Sequence, residues 1–291
     1  MSTALNLNVL SIGGSRNIGY FSSLKLLELG ATVTFLLRTP STFDTNTAIQ
    51  KYVTSGTARL IKGDALVRED VERAWKEAAG KENKPIDVLL FTVGGTPKFS
   101  LLNGFTISPA NLVTQSLLNT LSTIPPQPFQ PRIITISSTG LTRTSHASLP
   151  LPLKPLYGYL LRVPHEDKVG AERVVAHCAG WKWDAKEDGE PGADIMGTEE
   201  WRGREGLPKE GELKRVLVIR PALLTDGDCL ADKLEAKPGK CGKKELKKAY
   251  RVSEEELGGW TVSRKDVAHF VVDAIVHRWD EFENKCVSIA Y

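Results

Sequence analysis

Short apolar blocks alternate along this chain with longer stretches of helical spacing. Leu7 to Ile12 (LNVLSI) reads as a strand that runs into Gly13-Gly14. Ile18 to Leu29 has helical spacing and is followed by Gly30, a helix-stopping residue at that position. Ala31 to Leu37 (ATVTFLL), Arg59 to Lys62, Ile86 to Phe91 (IDVLLF), Arg132 to Ser137 (RIITIS), Val216 to Ile219 and Cys286 to Ala290 read as further strands. Helices are predicted over Val67 to Ala79, where Val71, Ala74, Trp75 and Ala78 share a face, and over Asn111 to Leu121, Pro164 to Ala179 and Arg264 to Arg278. The strands are near-continuous apolar runs, so both faces of their sheet are covered. Repeated βα units with right-handed crossovers predict an α/β fold: a doubly wound, mostly parallel sheet with helices on both faces, in one domain spanning 1–291.

Two stretches break the rhythm. Lys182 to Glu212 holds 10 acidic and 5 basic residues with interspersed glycine and proline, between a helix and a strand that ordinarily connect in a few residues. Its composition predicts a surface excursion that buries too little apolar area to order itself, with Trp181, Trp183 and Trp201 available to pin it near a pocket as a lid. Asp232 to Arg251 carries 8 Lys/Arg against 3 acids and reads as a solvated face within a substrate-side region, 222–262.

Composition narrows the class. With 38 Lys+Arg against 35 Asp+Glu, the net charge of +3 argues against a nucleic-acid or anionic-membrane partner. No apolar run approaches the roughly 18 residues of a membrane span, and MSTALNLN lacks the basic residues of a signal peptide. The cysteines, Cys178, Cys229, Cys241 and Cys286, form no CxxC pair and have no neighbouring histidine at zinc-ligand spacing. They read as free thiols of a cytoplasmic protein without a metal site.

The sharpest chemical signal is Gly13-Gly14-Ser15-Arg16-Asn17-Ile18-Gly19, set between the first strand and the first helix. A glycine turn there lets the backbone approach a pyrophosphate, which then meets the helix N-terminus and its free N–H groups.

This turn, IGGSRNIG, resembles the nucleotide-binding turn of short-chain dehydrogenases/reductases, and in particular of their atypical, NmrA-like members. The orthodox pattern is TGxxxGxG; here Ile12 replaces its Thr and Asn17 its middle Gly. The likeness continues in order along the chain. Gly63-Asp64-Ala65 resembles the adenine-contacting element, Thr92-Val93-Gly94-Gly95 the loop after the fourth strand, and Arg220-Pro221-Ala222-Leu223-Leu224-Thr225 the segment that passes the nicotinamide. Trp260 to Ala268 resembles the start of a late helix. The resemblance implies a Rossmann fold with a nicotinamide cofactor on Gly13 to Gly19, Asp64, Ala65, Val93 to Gly95 and Arg220 to Ala222. An acidic residue after the second strand would bind NAD; here Leu37 is followed by Arg38 and Thr39. Arg16 and Arg38 can converge on a 2′-phosphate, with Thr39 and Ser41 as neutral donors, and two guanidinium groups match a phosphate dianion. The expected cofactor is NADP(H).

Orthodox members of that family use a serine after the fifth strand and YxxxK on the next helix. Ser138 in Ser137-Ser138-Thr139 fits the serine. The helix reads Pro164-His165-Glu166-Asp167-Lys168, which sets Lys168 at the lysine and Pro164 where tyrosine belongs. Proline has no proton to give. His165, Tyr157 and Tyr159 are the candidate replacements, and Lys168 is expected on the nicotinamide ribose unless it pairs with Glu172 one turn on. Three functions remain open: an NADPH-dependent reductase of a small carbonyl, imine or activated alkene; a cofactor-binding redox sensor without turnover; and a non-redox enzyme that uses the cofactor structurally.

Overall fold

The computed structural model describes residues 5–96, 98–100, 104–141, 162–235 and 249–291. The chain opens with β1 (Asn8–Ile12), α1 (Asn17–Glu28) and β2 (Thr32–Leu37). It continues through α2 (Thr47–Thr54), β3 (Ala58–Lys62), α3 (Arg68–Ala79) and β4 (Val88–Phe91). A hairpin of β5 (Lys98–Ser100) and β6 (Gly104–Thr106) precedes α4 (Leu112–Ser122) and β7 (Arg132–Ile136). Then come α5 (Arg162–Ala179), the short α6 (Ala193–Met196), β8 (Val216–Pro221), β9 (Leu223–Thr225) and α7 (Leu230–Glu235). The chain closes with β10 (Arg251–Ser253), β11 (Thr261–Ser263), α8 (Arg264–Val276), α9 (Trp279–Phe282) and β12 (Lys285–Ala290).

Eight strands form the main sheet in the order β10-β12-β8-β7-β4-β1-β2-β3. Every neighbouring pair is parallel except the edge pair β10–β12. This is the mostly parallel, doubly wound sheet that the apolar runs predict. Strand alternation distributes the core: Val9 and Leu90 join a cluster on one face, while Leu10, Ile12 and Leu89 join a cluster on the other. The first face is covered by α1 and α8 through Leu26, Leu27, Phe270 and Val271. The second is covered by α3, α4 and α5 through Trp75, Leu117, Leu118 and Val174. The chain leaves β1 towards β2 and β3, then crosses to β4 on the opposite side, so a crevice opens at the carboxyl ends of β1 and β4.

Three differences from the sequence expectations bear most on the core and the site. First, α2 forms between the second and third strands, held by Asn46, whose side chain accepts the Ile49 N–H at 3.1 Å; Ile49 is its one buried residue. Second, β8 runs on to Pro221, with Arg220 opposite Ser288 and Pro221 opposite Ile289. Third, 182–212 lies outside the main sheet, as expected, but it is packed. Ile195, Met196, Trp201 and Leu207 are buried in the core under α4 and α5. Gln115 donates to the Ile195 carbonyl at 2.9 Å, Arg68 donates to the Glu205 carbonyl at 3.1 Å, and Arg204 donates to Asn119. A few large anchors and these bonds order a segment whose average composition is polar.

The described cysteines, Cys178, Cys229 and Cys286, are free thiols; Cys241 and most of the basic stretch lie outside the described residues. Among the described residues no cluster of His, Cys, Asp and Glu suits a metal ion, and no helix is long and apolar enough to cross a membrane.

Candidate functional site

The glycine turn is built by close approach. Gly13 has φ +88°, and a Cβ there would stand 2.5 Å from the Thr92 carbonyl carbon and the Val93 nitrogen. A Cβ on Gly19 would stand 2.1 Å from the Thr92 hydroxyl. The exit of β4 therefore lies directly on the turn. Gly14 serves packing instead: its Cβ would strike Ser11 Oγ at 2.3 Å and the Phe35 ring at 3.0 Å, so it fits the helix against the sheet. Asn17, which stands at the middle Gly of the family pattern, adopts left-handed backbone with φ +56°, a conformation asparagine tolerates better than most residues. The helix α1 begins at Asn17 with Arg16 as N-cap, no side-chain cap bond and no acid in its first turn. Its first N–H groups lack intrahelical acceptors, as in any helix, and its N-terminal residues line a cavity.

That cavity, about 450 Å³, occupies the crevice above β1 and β4. Its wall includes Gly13, Ser15, Arg16, Asn17, Ile18, Gly19, Arg38, Thr39, Asp64, Ala65, Val93, Gly94, Gly95 and Lys168, all singled out by the sequence. Arg16 donates to Thr96 Oγ1 at 2.7 Å. Arg38 is exposed and makes no hydrogen bond or ion pair among the described residues. Asp64 accepts the Leu66 N–H at 3.0 Å, and its own N–H donates to Asp70 at 2.8 Å. That bond is the chief reason the Asp70 carboxyl sits below the usual range. The Ala65 carbonyl is taken by Asn119 Nδ2 at 2.9 Å.

Sequence reasoning did not single out other parts of the wall, among them Thr42, Thr96, Leu112, Ser116 and Arg264; Leu224, from the segment expected to pass the nicotinamide, does line it. Ser116 is buried, and its hydroxyl has no partner among the described residues. Helical spacing from Leu112 is the signal that could have found it. Arg264 was legible within the late-helix motif, but nothing in one dimension sets it beside α1.

Gly14, Arg220, Pro221 and Ala222 are absent from the wall. The longer β8 explains the last three: Arg220 and Pro221 are strand residues, and Ala222 N–H bonds to the Ile289 carbonyl at 3.0 Å. Arg220 is clasped by Glu172 through two bonds of 2.9 and 2.5 Å and reaches Glu256 at 3.4 Å.

Glu172 is therefore not the partner of Lys168. The Lys168 ammonium donates to the Ser137 carbonyl at 2.8 Å and reaches the cavity wall. Burial holds its pKa down to about 8, against the attraction of Glu172 and Asp167. Asp167 turns the other way: its carboxylate accepts the N–H groups of Val113 and Thr114, both at 2.8 Å, at the start of α4. Burial pushes that carboxyl up, against the pull of those bonds. Ser138 donates to the Thr139 carbonyl at 3.1 Å, while the Ser137 hydroxyl is buried without a partner among the described residues. His165 lies half-buried in the first turn of α5 and, like Ser138, is not on the cavity wall. Tyr157 and Tyr159 lie outside the described residues. No residue of 182–212 lines the cavity, so the expected lid over it is not formed by that segment.

No family model matches the chain. Reductase pytE of Aspergillus terreus is 33% identical over 165 residues, 55% of this chain and 48% of that protein, so the match spans about half the relative's length. Solved structures match over nearly the full length. A short-chain dehydrogenase from Burkholderia cenocepacia in complex with NADP superposes with TM-score 0.59 at 14% identity, covering 99% of this chain and 98% of that one. A metagenomic blue fluorescent protein in complex with NADPH gives 0.57 at 16%, with coverages of 98% and 97%. The Pseudomonas aeruginosa RhlG/NADP complex gives 0.56 at 16%, with 99% and 95%. The likeness to these proteins is one of fold: a Rossmann-like α/β sheet of the kind that short-chain dehydrogenases/reductases have.

Proposed function

We propose that the chain binds NADP(H) and acts as an NADPH-dependent reductase of a small organic substrate bearing a carbonyl, imine or activated alkene. The observation that carries this reading is the cavity at the switch point, where an uncapped helix N-terminus faces a wall bearing Arg16, Arg38 and Lys168. The partnerless buried hydroxyl of Ser116 on the same wall also suits a polar ligand. The names of the pytE reductase and the NADP-bound structural neighbours agree with it. On this reading Gly13 to Gly19 cradle the pyrophosphate, Arg16, Arg38 and Thr39 read the 2′-phosphate, and Asp64 and Ala65 meet the adenine. Val93 to Gly95 border the adenine-side ribose.

The bound cofactor would supply hydride; the chain itself orients the substrate and delivers a proton. Lys168 holds the nicotinamide ribose and is not itself the donor. The donor is drawn from His165, Tyr157 and Tyr159, with Ser138 polarising the substrate. His165→Ala is expected to lower turnover with little change in cofactor affinity, and full turnover in all three donor variants would assign the proton to solvent.

The first test is calorimetry. NADPH should bind in preference to NADH, and Arg38→Ala should weaken NADPH by roughly 1.5–3 kcal/mol while leaving NADH nearly unchanged. Equal loss for both would remove the 2′-phosphate assignment. A cofactor sensor of the NmrA type is the second reading, favoured by Pro164, which stands on α5 four residues before Lys168. NADPH oxidation against carbonyl and enone substrates separates the two: turnover rejects the sensor.

A further inference from the structure

We propose that Arg264 is a pyrophosphate clamp, held ready at the cavity mouth by Asp226. The proposal rests on the reading that the cavity takes a dinucleotide. Arg264 is the first residue of α8 and shares the cavity wall with Asn17 and Ile18 of α1. The two helices pack side by side on one face of the sheet. Lys265 Nζ lies 5.9 Å from the centre of the Phe21 ring, which brings the first turn of α8 beside the second turn of α1.

The pairing of β9 with β11 sets Thr225 opposite Ser263, and the next residues along, Asp226 and Arg264, meet. Arg264 Nη1 donates to Asp226 Oδ1 at 2.7 Å. The partners are unequally placed: the arginine side chain is 24% exposed and the aspartate 87%. So exposed a carboxylate is well hydrated and holds its guanidinium weakly. An anion inside the cavity, bounded by protein of lower dielectric, competes well for the same group.

Charge on the wall points the same way. Among its described residues Arg16, Arg38, Lys168 and Arg264 are cationic, and Asp64 is the one carboxylate. Arg16 and Arg38 answer a 2′-phosphate, and Lys168 a ribose. The pyrophosphate, meeting α1, would have only the helix N-terminus, worth about half an elementary charge. Arg264 adds a full charge and a planar fork that spans two phosphate oxygens. The assignment makes Arg264 a binding residue common to both nicotinamide dinucleotides, unlike Arg38.

The test is calorimetric titration of the full chain with NADPH and with NADH. Arg264→Ala should weaken both by the same factor, roughly 10- to 100-fold. Asp226→Asn, at a position 87% exposed, should tighten both by about two- to fivefold. Loss confined to NADPH would assign Arg264 to the 2′-phosphate and overturn the proposal, as would unchanged binding in both variants. If the unsubstituted chain binds neither dinucleotide, the cofactor reading itself fails and the clamp with it; retained NADH binding in Arg38→Ala shows that the cofactor reading stands even if the clamp does not.

Discussion

Lys168 carries its charge where burial works against it. Its pKa of about 8 lies below the ordinary lysine value, so between pH 8 and about 10.5 the unfolded chain holds a proton that the folded chain has released. Stability rises with pH wherever the unfolded state binds more protons. The lysine's contribution is therefore least favourable below pH 8 and improves as pH rises towards 10.5. Lys168→Met removes that dependence. The stability of the original chain relative to the methionine variant, from urea denaturation without nucleotide, should improve across that window by an amount on the order of 2–3 kcal/mol. A flat difference would mean that the ammonium is solvated. An anionic ligand in the cavity would relieve the same penalty, since Lys168 reaches its wall.

Between elements, the residue next to that lysine does the joining. α4 has Asn111 as its N-cap, with no side-chain cap bond of its own. Its Val113 and Thr114 N–H groups are satisfied instead by the carboxylate of Asp167 on α5, and the Thr114 hydroxyl donates to the Asp167 carbonyl at 2.6 Å. Asp167→Ala leaves two buried donors unpaired and should cost about 2–6 kcal/mol, at roughly 1–3 kcal/mol for each unsatisfied group. Asp167→Asn, which keeps one acceptor oxygen, should cost about half as much. Chemical denaturation measures both; equal losses would mean that charge matters rather than acceptor count. Asp266 plays the same part elsewhere. It accepts from Ala231 N–H at 3.0 Å and from the Tyr291 hydroxyl at 2.7 Å, tying α7 and the end of β12 to the start of α8. The late-helix motif is thus a structural knot at its aspartate, two residues after the arginine at the cavity mouth.

At the scale of the whole molecule, the segment 182–212 extends the core beyond the sheet-and-helix frame. Trp201 is buried, lies edge-to-face on His177 at 5.4 Å, and is flanked by Arg173 and Arg202. Trp201→Ala should cost about 3–5 kcal/mol, the usual range for a buried aromatic. Limited proteolysis of the unsubstituted chain should spare 195–207, with or without NADPH, and the variant should be cut there. Rapid cleavage of the unsubstituted chain in that window would show that the anchors do not hold.

The pattern of apolar runs determined the order of the main elements and the parallel sheet, because the central strands β1, β2, β4 and β8 are buried on both faces. The glycine turn was legible for a related reason: close backbone approach at Gly13 and Gly19 excludes every larger side chain, and the residue order records that exclusion. Arg16, Arg38 and Lys168 were legible because they sit near strand ends or within the first two turns of a helix, where position along the chain nearly dictates position in space. Tertiary structure decided the rest. Whether Lys168 pairs with Glu172 depended on Arg220, 48 residues further on, which takes that carboxylate. Whether 182–212 is ordered depended on the apolar cluster it joins under α4 and α5, where a few anchors suffice. Arg264 reached the cavity only because two helices distant in sequence pack side by side, and local periodicity carries no record of that long-range pairing.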